Sequence, residues 1–190
     1  MKKVVIKSIT ITLIIILLVF TLFTLLLCTF FPKTVSNLTY RISAYDISVK
    51  YSEKAYQKSN SSYDLTILVE RSIIAKNDEV TCKYANTLLV DEVFRKVILP
   101  TKTDDYLNYV STSYVLALYN QEKFDTCIDS AISYTNFSVD EINATTTLIS
   151  LLNENNDVEL LQKLKDKLLQ LEQNALTVKY VQVINSILNK

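Results

Sequence analysis

The stretch SITITLIIILLVFTLFTLLLCTFFP, residues 8–32, carries no charged side chain and is almost entirely apolar. Its 24 residues before the proline span about 36 Å as a helix. That length crosses a hydrocarbon core of about 30 Å with some tilt. Pro32 predicts the end of the helix, because proline lacks the N–H donor and clashes with the preceding turn. The stretch therefore predicts a single transmembrane helix, through which the chain contacts the lipid bilayer.

Two other uses of this segment, a cleaved secretory signal and a lipidated cysteine, fit the residues less well than a retained anchor does. A signal peptide has an apolar core of about 7–15 residues and a cleavage site made of small residues. Here the apolar run is longer, and only residues 34–36 resemble such a site. Lipidation of Cys28 would need small residues immediately before it, but positions 25–27 are all leucine. We expect a retained signal-anchor.

The charges before this segment predict its orientation, although Lys33, Arg41 and Lys50 follow it closely and are offset only by Asp46. Residues 1–7 hold three lysines and no acidic residue, so they are expected to form a cytoplasmic tail. The C-terminal domain, residues 33–190, is then expected outside the cytoplasm. A chain rich in Lys, Asn, Ile and Tyr is typical of AT-rich bacterial genomes. We therefore expect a single-pass protein of the cell membrane in a bacterial cell envelope.

Composition excludes several classes of function. The 190 residues include no Gly, no His and no Trp. Without glycine the usual phosphate-cradling loops cannot form, and without histidine the commonest general base and metal ligand is missing. Residues 33–190 carry 20 acidic and 17 basic side chains, a net charge of −3, which argues against nucleic acid. We expect no enzyme activity, and no catalytic residue, metal, cofactor or small-molecule substrate.

Apolar residues recur at helical spacing throughout residues 33–190, which predicts an all-α domain. In the juxtamembrane helical region, residues 33–99, one predicted core face is Ala44, Ile47, Tyr51 and Ala55. Residues 100–103, Pro-Thr-Lys-Thr, are predicted to form a linker. Residues 104–190 contain the more regular stripes, which are Leu107, Val110, Tyr114, Ala117 and Leu118; Phe124, Cys127, Ile128 and Ala131; Ile142, Ile149 and Leu152; Leu161, Leu164, Leu168 and Leu171; and Leu176, Tyr180, Ile184 and Ile187.

Helix start signals in residues 104–190 recur at a fixed interval. Ser138 and Glu141 form a capping-box pattern, in which each side chain satisfies a free N–H group at the helix start. Asn156-Asp157 is a second start signal. The predicted starts at Asp104 and Ser138 define the interval, and a third start near residues 172–174 continues it. This interval matches the helix-turn-helix period of about 34 residues that is the signature of tetratricopeptide repeats.

The residues of one turn carry a resemblance to that family. Residues 116–128, LALYNQEKFDTCI, resemble the family's turn between two helices, with Phe124 at its aromatic position and Cys127 at its small buried position. Val158 and Leu161 occupy the same positions one interval later. Val115 departs from the pattern, since the family has Gly or Ala there, and the closing proline is absent. Residues 104–190 thus resemble tetratricopeptide repeats, and a plain helical bundle with the same stripes is the alternative.

The resemblance implies that the domain binds a protein along the concave surface made by the first helix of each repeat. On this chain that surface would present Tyr109, Thr112, Leu116 and Tyr119. The alternative is that both tyrosines flank the core, with the ring buried and the hydroxyl in water. The partner itself is unknown.

The two cysteines of the domain, Cys82 and Cys127, allow two interpretations. As buried free thiols they would act as small hydrophobic residues. If the domain lies outside the cytoplasm and the two residues approach each other, a disulfide is possible.

The sequence thus favours a membrane-anchored protein–protein interaction module at the membrane surface. The alternative is a structural subunit of a larger envelope complex, in which the transmembrane helix also packs against partner helices. Its threonines (Thr10, Thr12, Thr21 and Thr24) would serve that packing, because small polar residues allow helices to approach closely.

Overall fold

The structure is a computed structural model that describes residues 2–103, 105–134, 143–171 and 175–189. Within these ranges every regular element is helical and no strand occurs, which confirms the all-α prediction. The chain divides into two compact units, Met1–Arg71 (unit 1) and Ser72–Lys190 (unit 2).

Unit 1 begins with the apolar helix that the sequence predicts. Helix α1 runs over Lys2–Phe30. Its segment Thr10–Phe30 has a mean hydropathy of 3.0 and is long enough to cross a membrane, and none of the segment is buried in the protein. Phe31 leaves helical geometry, with a φ of −124°, and Pro32 opens the next helix. The predicted helix end at the proline is therefore confirmed.

Three further helices belong to unit 1, the last of which runs on into unit 2: α2 Pro32–Arg41, α3 Tyr45–Ser59 and α4 Ser62–Ile74. Helices α2 and α3 pack through buried serines. Ser36 Oγ donates to the Ser48 carbonyl oxygen at 2.7 Å and lies 2.6 Å from Ser52 Oγ. The predicted core face of α3 is wrong: Ile47 is 50% exposed, and only Ala55 of that face is buried. Serine hydroxyls that bond to one another can be buried in place of apolar side chains.

Unit 2 contains six helices in its described residues: α5 Asp78–Val90, α6 Tyr106–Asn120, α7 Phe124–Ser133, α8 Ala144–Glu154, α9 Val158–Leu169 and α10 Ala175–Leu188. A π-helical turn, Phe94–Ile98, and a 3-10 turn, Leu99–Thr101, connect α5 to α6. The predicted apolar stripes supply the core of these helices. Most of the stripe residues named above are buried. The exceptions are Leu107, Phe124, Leu176 and Ile187, which are partly exposed, and Leu171, which is 39% exposed, while Ile142 lies outside the described residues.

The start of α8 differs from the prediction. The capping box proposed at Ser138 and Glu141 lies outside the described residues, and the helix that holds Leu152 begins at Ala144. Its cap is Asn143, whose side chain accepts the Thr146 N–H at 3.0 Å while the Thr146 hydroxyl accepts the Asn143 N–H at 3.2 Å. Because Asn143 is extended (φ −143°, ψ 178°), no helix can run through it from residue 138. The starts of α6 and α8 are therefore farther apart than the predicted interval.

Four turns between helices share one geometry, although the chain has no glycine. Ser43, Lys76, Glu122 and Asn156 have φ values of 59°, 53°, 56° and 54°. In each turn the N–H of this residue donates to the carbonyl three residues earlier, and the next N–H donates to the carbonyl five residues earlier. This is the Schellman motif, which usually places glycine at the left-handed position. Glu122 and Asn156 occupy equivalent positions in two of these turns, and their separation equals the interval predicted from the sequence.

The helices of unit 2 pack in an ordered series. Helix α6 contacts α5, α7 and α8; α7 also contacts α8 and α9; and α10 contacts α8 and α9. Ion pairs join α7 to α9 on the surface, between Asp125 and Lys163 and between Asp129 and Lys167. In the core, Asn143 Nδ2 donates to the Tyr180 hydroxyl at 2.5 Å, which connects the start of α8 to α10.

Candidate functional site

A groove in unit 2 is the candidate binding site. It has a volume of about 370 Å³ and lies between the connection of α4 to α5 and one side of α6. Its lining residues are Ile73 from the end of α4, Lys76 from the connection, Asp78 and Thr81 from α5, and Ser113, Leu116 and Asn120 from α6. The three α6 residues follow one another at intervals of three and four, so they lie on one side of that helix.

Local hydrogen bonds fix the α5 side of the groove. Lys76 takes the left-handed position of a Schellman turn. Asn77 then caps α5, accepting the Val80 N–H at 3.1 Å. The Thr81 hydroxyl donates to the Asn77 carbonyl oxygen and lies 2.9 Å from Ser72 Oγ. This wall of the groove is therefore set by a turn and a helix cap, which hold their side chains in defined positions.

A polar contact joins the two sides of the groove. Asn120 Nδ2, at the end of α6, donates to Asp78 Oδ2 in the first turn of α5 at 2.9 Å. Asp78 also lies at the N-terminal end of a helix, where a carboxylate is favoured by the helix dipole. The groove thus combines two apolar side chains, Ile73 and Leu116, with a lysine, a carboxylate and small polar groups.

The chemistry of this lining suits binding. Ile73 and Leu116 offer apolar contact, and the hydroxyl, amide and charged groups can orient a ligand by hydrogen bonds. Among the described residues, no group of three or more His, Cys, Asp or Glu side chains is placed to hold a metal ion.

The structure places one of the four predicted binding residues in the groove. Leu116 lines it, whereas Tyr109, Thr112 and Tyr119 are not among the lining residues. Tyr109 is 42% exposed and its ring lies 6.3 Å from the Tyr106 ring. Tyr119 and Thr112 are partly exposed. The side of α6 that lines the groove therefore shares Leu116 with the predicted side and is otherwise turned partly away from it.

Tyr119 has a structural contact of its own. Its ring packs edge-on against the ring of Phe124, with centroids 5.6 Å apart and planes at 64°. This pair spans the turn between α6 and α7. Aromatic pairs of this geometry contribute about 0.5–1.5 kcal/mol beyond the area they bury.

Sequence reasoning missed Ser113 and Asn120 of α6, and it missed four groove residues outside α6: Ile73, Lys76, Asp78 and Thr81. These four precede residue 104, where the predicted repeat begins, so the family resemblance gave no reason to place them at a binding surface. The signal available was Asn77-Asp78, which marks a helix start and so a turn against which the next helix could pack.

The cysteines are free thiols in this structure. Cys127 is buried, its thiol donates to the Val115 carbonyl oxygen at 3.3 Å, and burial together with nearby Cys82 raises its pKa to about 12. Burial also raises the pKa of Cys82, which is partly exposed. A bridge between them stays a prediction.

No protein-family model matches the chain, and no curated protein or solved structure shows significant similarity to it.

Proposed function

We propose that this chain is a membrane-anchored, helical-repeat interaction module that binds a protein partner in the groove of unit 2. The observation that carries the proposal is the groove itself. It has about 370 Å³ of space, with Ile73 and Leu116 as apolar contacts and polar groups around them. Protein–protein interfaces likewise combine an apolar centre with a polar rim.

Two features support tetratricopeptide-like stacking within the proposal. From α6 onward, helices contact their next neighbour and the neighbour after that, as expected when consecutive hairpins stack. The equivalent turns at Glu122 and Asn156 keep the repeat interval of that family. A surface formed by first helices is where such repeats bind, and α6 is the first helix of its hairpin.

The anchor completes the proposal. Helix α1 exposes its apolar residues from Thr10 to Phe30 and is long enough to hold the protein in a bilayer. With the N-terminal lysines cytoplasmic, residues 33–190 would act on the outer side of the cell membrane. A reporter enzyme fused to the C-terminus tests this orientation, and activity restricted to a cytoplasmic reporter would contradict it.

The alternative, a structural subunit whose membrane helix packs against partners, has less support. The hydroxyls of Thr21 and Thr24 donate to the carbonyl oxygens of Leu17 and Phe20 in their own helix, at 2.7 and 2.8 Å. They are thus satisfied without a partner helix. Replacing residues 8–27 with an unrelated membrane helix separates the two functions, because a mere tether keeps activity after the exchange.

Photo-crosslinking in native membranes tests the groove. A photoreactive phenylalanine analogue at position 116 is expected to capture a partner, and the same analogue at Val158 is not. Val158 is the matched control because it is an apolar residue of unit 2 that is 61% exposed and lies away from the groove lining.

A substitution at the same position tests whether the captured protein binds through the groove. Leu116→Asp is expected to abolish co-purification of the captured partner, whereas Val158→Asp is expected to retain it. Retention by Leu116→Asp with an unchanged melting temperature would overturn the proposal.

A further inference from the structure

Helix α3 is held against the C-terminal end of the apolar helix α1. Lys58 Nζ donates to the Thr29 carbonyl oxygen at 2.8 Å and lies 6.0 Å from the centre of the Phe30 ring. Two turns earlier on α3, Tyr51 interacts with the Cys28 thiol. Two residues of α3 therefore contact the last three residues of α1.

The length of α1 places these contacts at the level of lipid headgroups. The 24 uncharged residues 8–31 span about 36 Å as a helix, which is longer than a typical hydrocarbon core of about 30 Å. The last turn of α1 can therefore lie beyond the hydrocarbon core, at the level of the headgroups. Leu27 and Cys28 are partly covered by protein, whereas residues 10–26, Thr29 and Phe30 are exposed. If α1 spans a bilayer, Tyr51 and Lys58 thus lie near its surface.

Helix α3 carries the residue types that favour an anionic membrane surface. Lys50, Lys54 and Lys58 follow one another at intervals of four and are all exposed. Lys54 Nζ lies over the Tyr51 ring, 5.0 Å from its centre. Two acidic residues, Asp46 and Glu53, share the helix. Tyrosine and lysine are enriched where membrane helices meet the headgroups.

The distribution of charge along the chain also favours contact between this region and an anionic membrane. Residues 33–71 hold six basic and four acidic side chains, whereas residues 72–190 hold 11 basic and 16 acidic ones. The positive part of the chain is thus the part next to the membrane helix. An anionic bilayer attracts the first part and repels the second.

We propose that Tyr51, Lys54 and Lys58, the basic face of α3, bind the phosphate groups of anionic phospholipids at the bilayer surface. This rests on the membrane anchoring in the proposed function and adds a lipid class that the protein selects. Each lysine at an anionic surface favours association by about fivefold. Binding of both lysines would hold unit 1 against the membrane.

Lipid contact can be measured with a single fluorophore, because the chain contains no tryptophan. The full-length Tyr51→Trp protein is placed in nanodiscs of mixed phosphatidylcholine and phosphatidylglycerol. Two samples are compared, one with brominated phosphatidylcholine and one with brominated phosphatidylglycerol, because bromine quenches tryptophan fluorescence on contact. From the quenching by each brominated lipid we obtain the fraction of phosphatidylglycerol next to the Trp side chain. We expect this fraction to correspond to an enrichment of about fivefold or more over the bulk bilayer, and we expect added salt to reduce the enrichment.

Charge variants complete the test. Lys54→Glu/Lys58→Glu is expected to remove the lipid enrichment. Lys54→Gln/Lys58→Gln, which removes the positive charges without introducing negative ones, is expected to remove most of it. Lys83→Glu/Lys179→Glu, an equal charge change at exposed positions of unit 2, is expected to leave it unchanged. Equal quenching by the two lipids in the parent protein, or enrichment that survives both α3 variants, would overturn the inference.

Extraction at alkaline pH separates this inference from the anchor. Retention of the parent protein in membranes without lipid enrichment overturns lipid selection alone, whereas release of the parent protein contradicts the anchor as well. If the α3 variants lose the partner crosslink and the parent protein shows no lipid enrichment, the lysines belong to a protein contact and the inference fails.

Discussion

Asn120 Nδ2 donates a hydrogen bond of 2.9 Å to Asp78 Oδ2, so the last turn of α6 is joined to the first turn of α5 across the groove. The two residues are 42 positions apart in the chain. The bond therefore fixes the relative position of two helices that also line the candidate binding site, and it links the shape of the groove to the stability of unit 2.

Removal of this bond should cost little stability. Asn120→Ala is expected to lower the free energy of unfolding by about 0.5–1 kcal/mol, since the bond is exposed to water. Asp78→Ala should cost more, because it also removes a favourable charge from a helix N-terminus. Urea unfolding in detergent, followed by circular dichroism, measures both, and a double-mutant cycle gives their coupling. Fully additive effects would show that the two side chains do not interact.

The left-handed turns predict a gain in stability from glycine. A left-handed backbone costs a non-glycine residue about 1–2 kcal/mol, and Glu122 and Lys76 both adopt it. Glu122→Gly and Lys76→Gly are each expected to raise the free energy of unfolding by about 1 kcal/mol, after the greater flexibility of the unfolded chain is included. Lys123→Gly is the control, since Lys123 has a φ of −89° and should lose stability on the same change.

The cap of α8 predicts a larger loss. Asn143→Ala removes the capping box and leaves the buried Tyr180 hydroxyl without this donor, so we expect a loss of about 2–3 kcal/mol. Tyr180→Phe keeps the cap and should cost about 1 kcal/mol. Thermal and urea unfolding of the three proteins measure the difference. Equal losses for the two variants would show that the cap contributes nothing.

Buried thiol and phenol groups predict destabilisation at alkaline pH. Burial raises the pKa of Cys127 and of Tyr134 to about 12, above their values in the unfolded chain. The folded state thus retains protons that the unfolded state releases, and the free energy of unfolding should fall as pH rises from about 9 to about 12. Tyr134→Phe should flatten this fall, measured as melting temperature against pH, while Tyr109→Phe, at an exposed ring, should not.

Thiol reactivity gives an independent check of the cysteine environments. At pH 8 we expect an alkylating reagent to modify partly exposed Cys82 faster than buried Cys127, with both reacting rapidly in denaturant. Mass spectrometry after timed quenching measures the two rates. If Cys127 reacted first in the folded protein, its burial beside the Val115 carbonyl would be contradicted.

Helix content and the apolar anchor were predictable from sequence because both depend on local patterns. An uncharged run with Pro32 at its end predicted the membrane-spanning part of α1 and its end, and spacing at three and four residues located many of the buried residues of unit 2. Patterns that depend on tertiary contact were not predictable. Ser48 and Ser52 are buried in α3 because Ser36 of another helix bonds to them, and no apolar spacing records that.

The start of α8 and the groove show the same limit. The sequence signal at Ser138 has the usual glutamate partner, whereas the cap used by α8 pairs Asn143 with Thr146, which is a weaker sequence signal. In the groove, Leu116 was predicted from the family resemblance alone. Lys76 and Asp78 reach the same groove from an earlier connection, and only the packing of α6 against α5 brings them together.

The ion pairs between α7 and α9 have a consequence for alignment of the two helices. Asp125 and Asp129 are four residues apart, and so are their partners Lys163 and Lys167. If α9 slid by one turn in either direction, one acid would still meet one lysine, although in one direction Glu159 would come opposite Asp125. Because an exposed ion pair contributes little, the registration of the two helices comes mainly from the interior, where Leu161, Leu164 and Leu168 are buried.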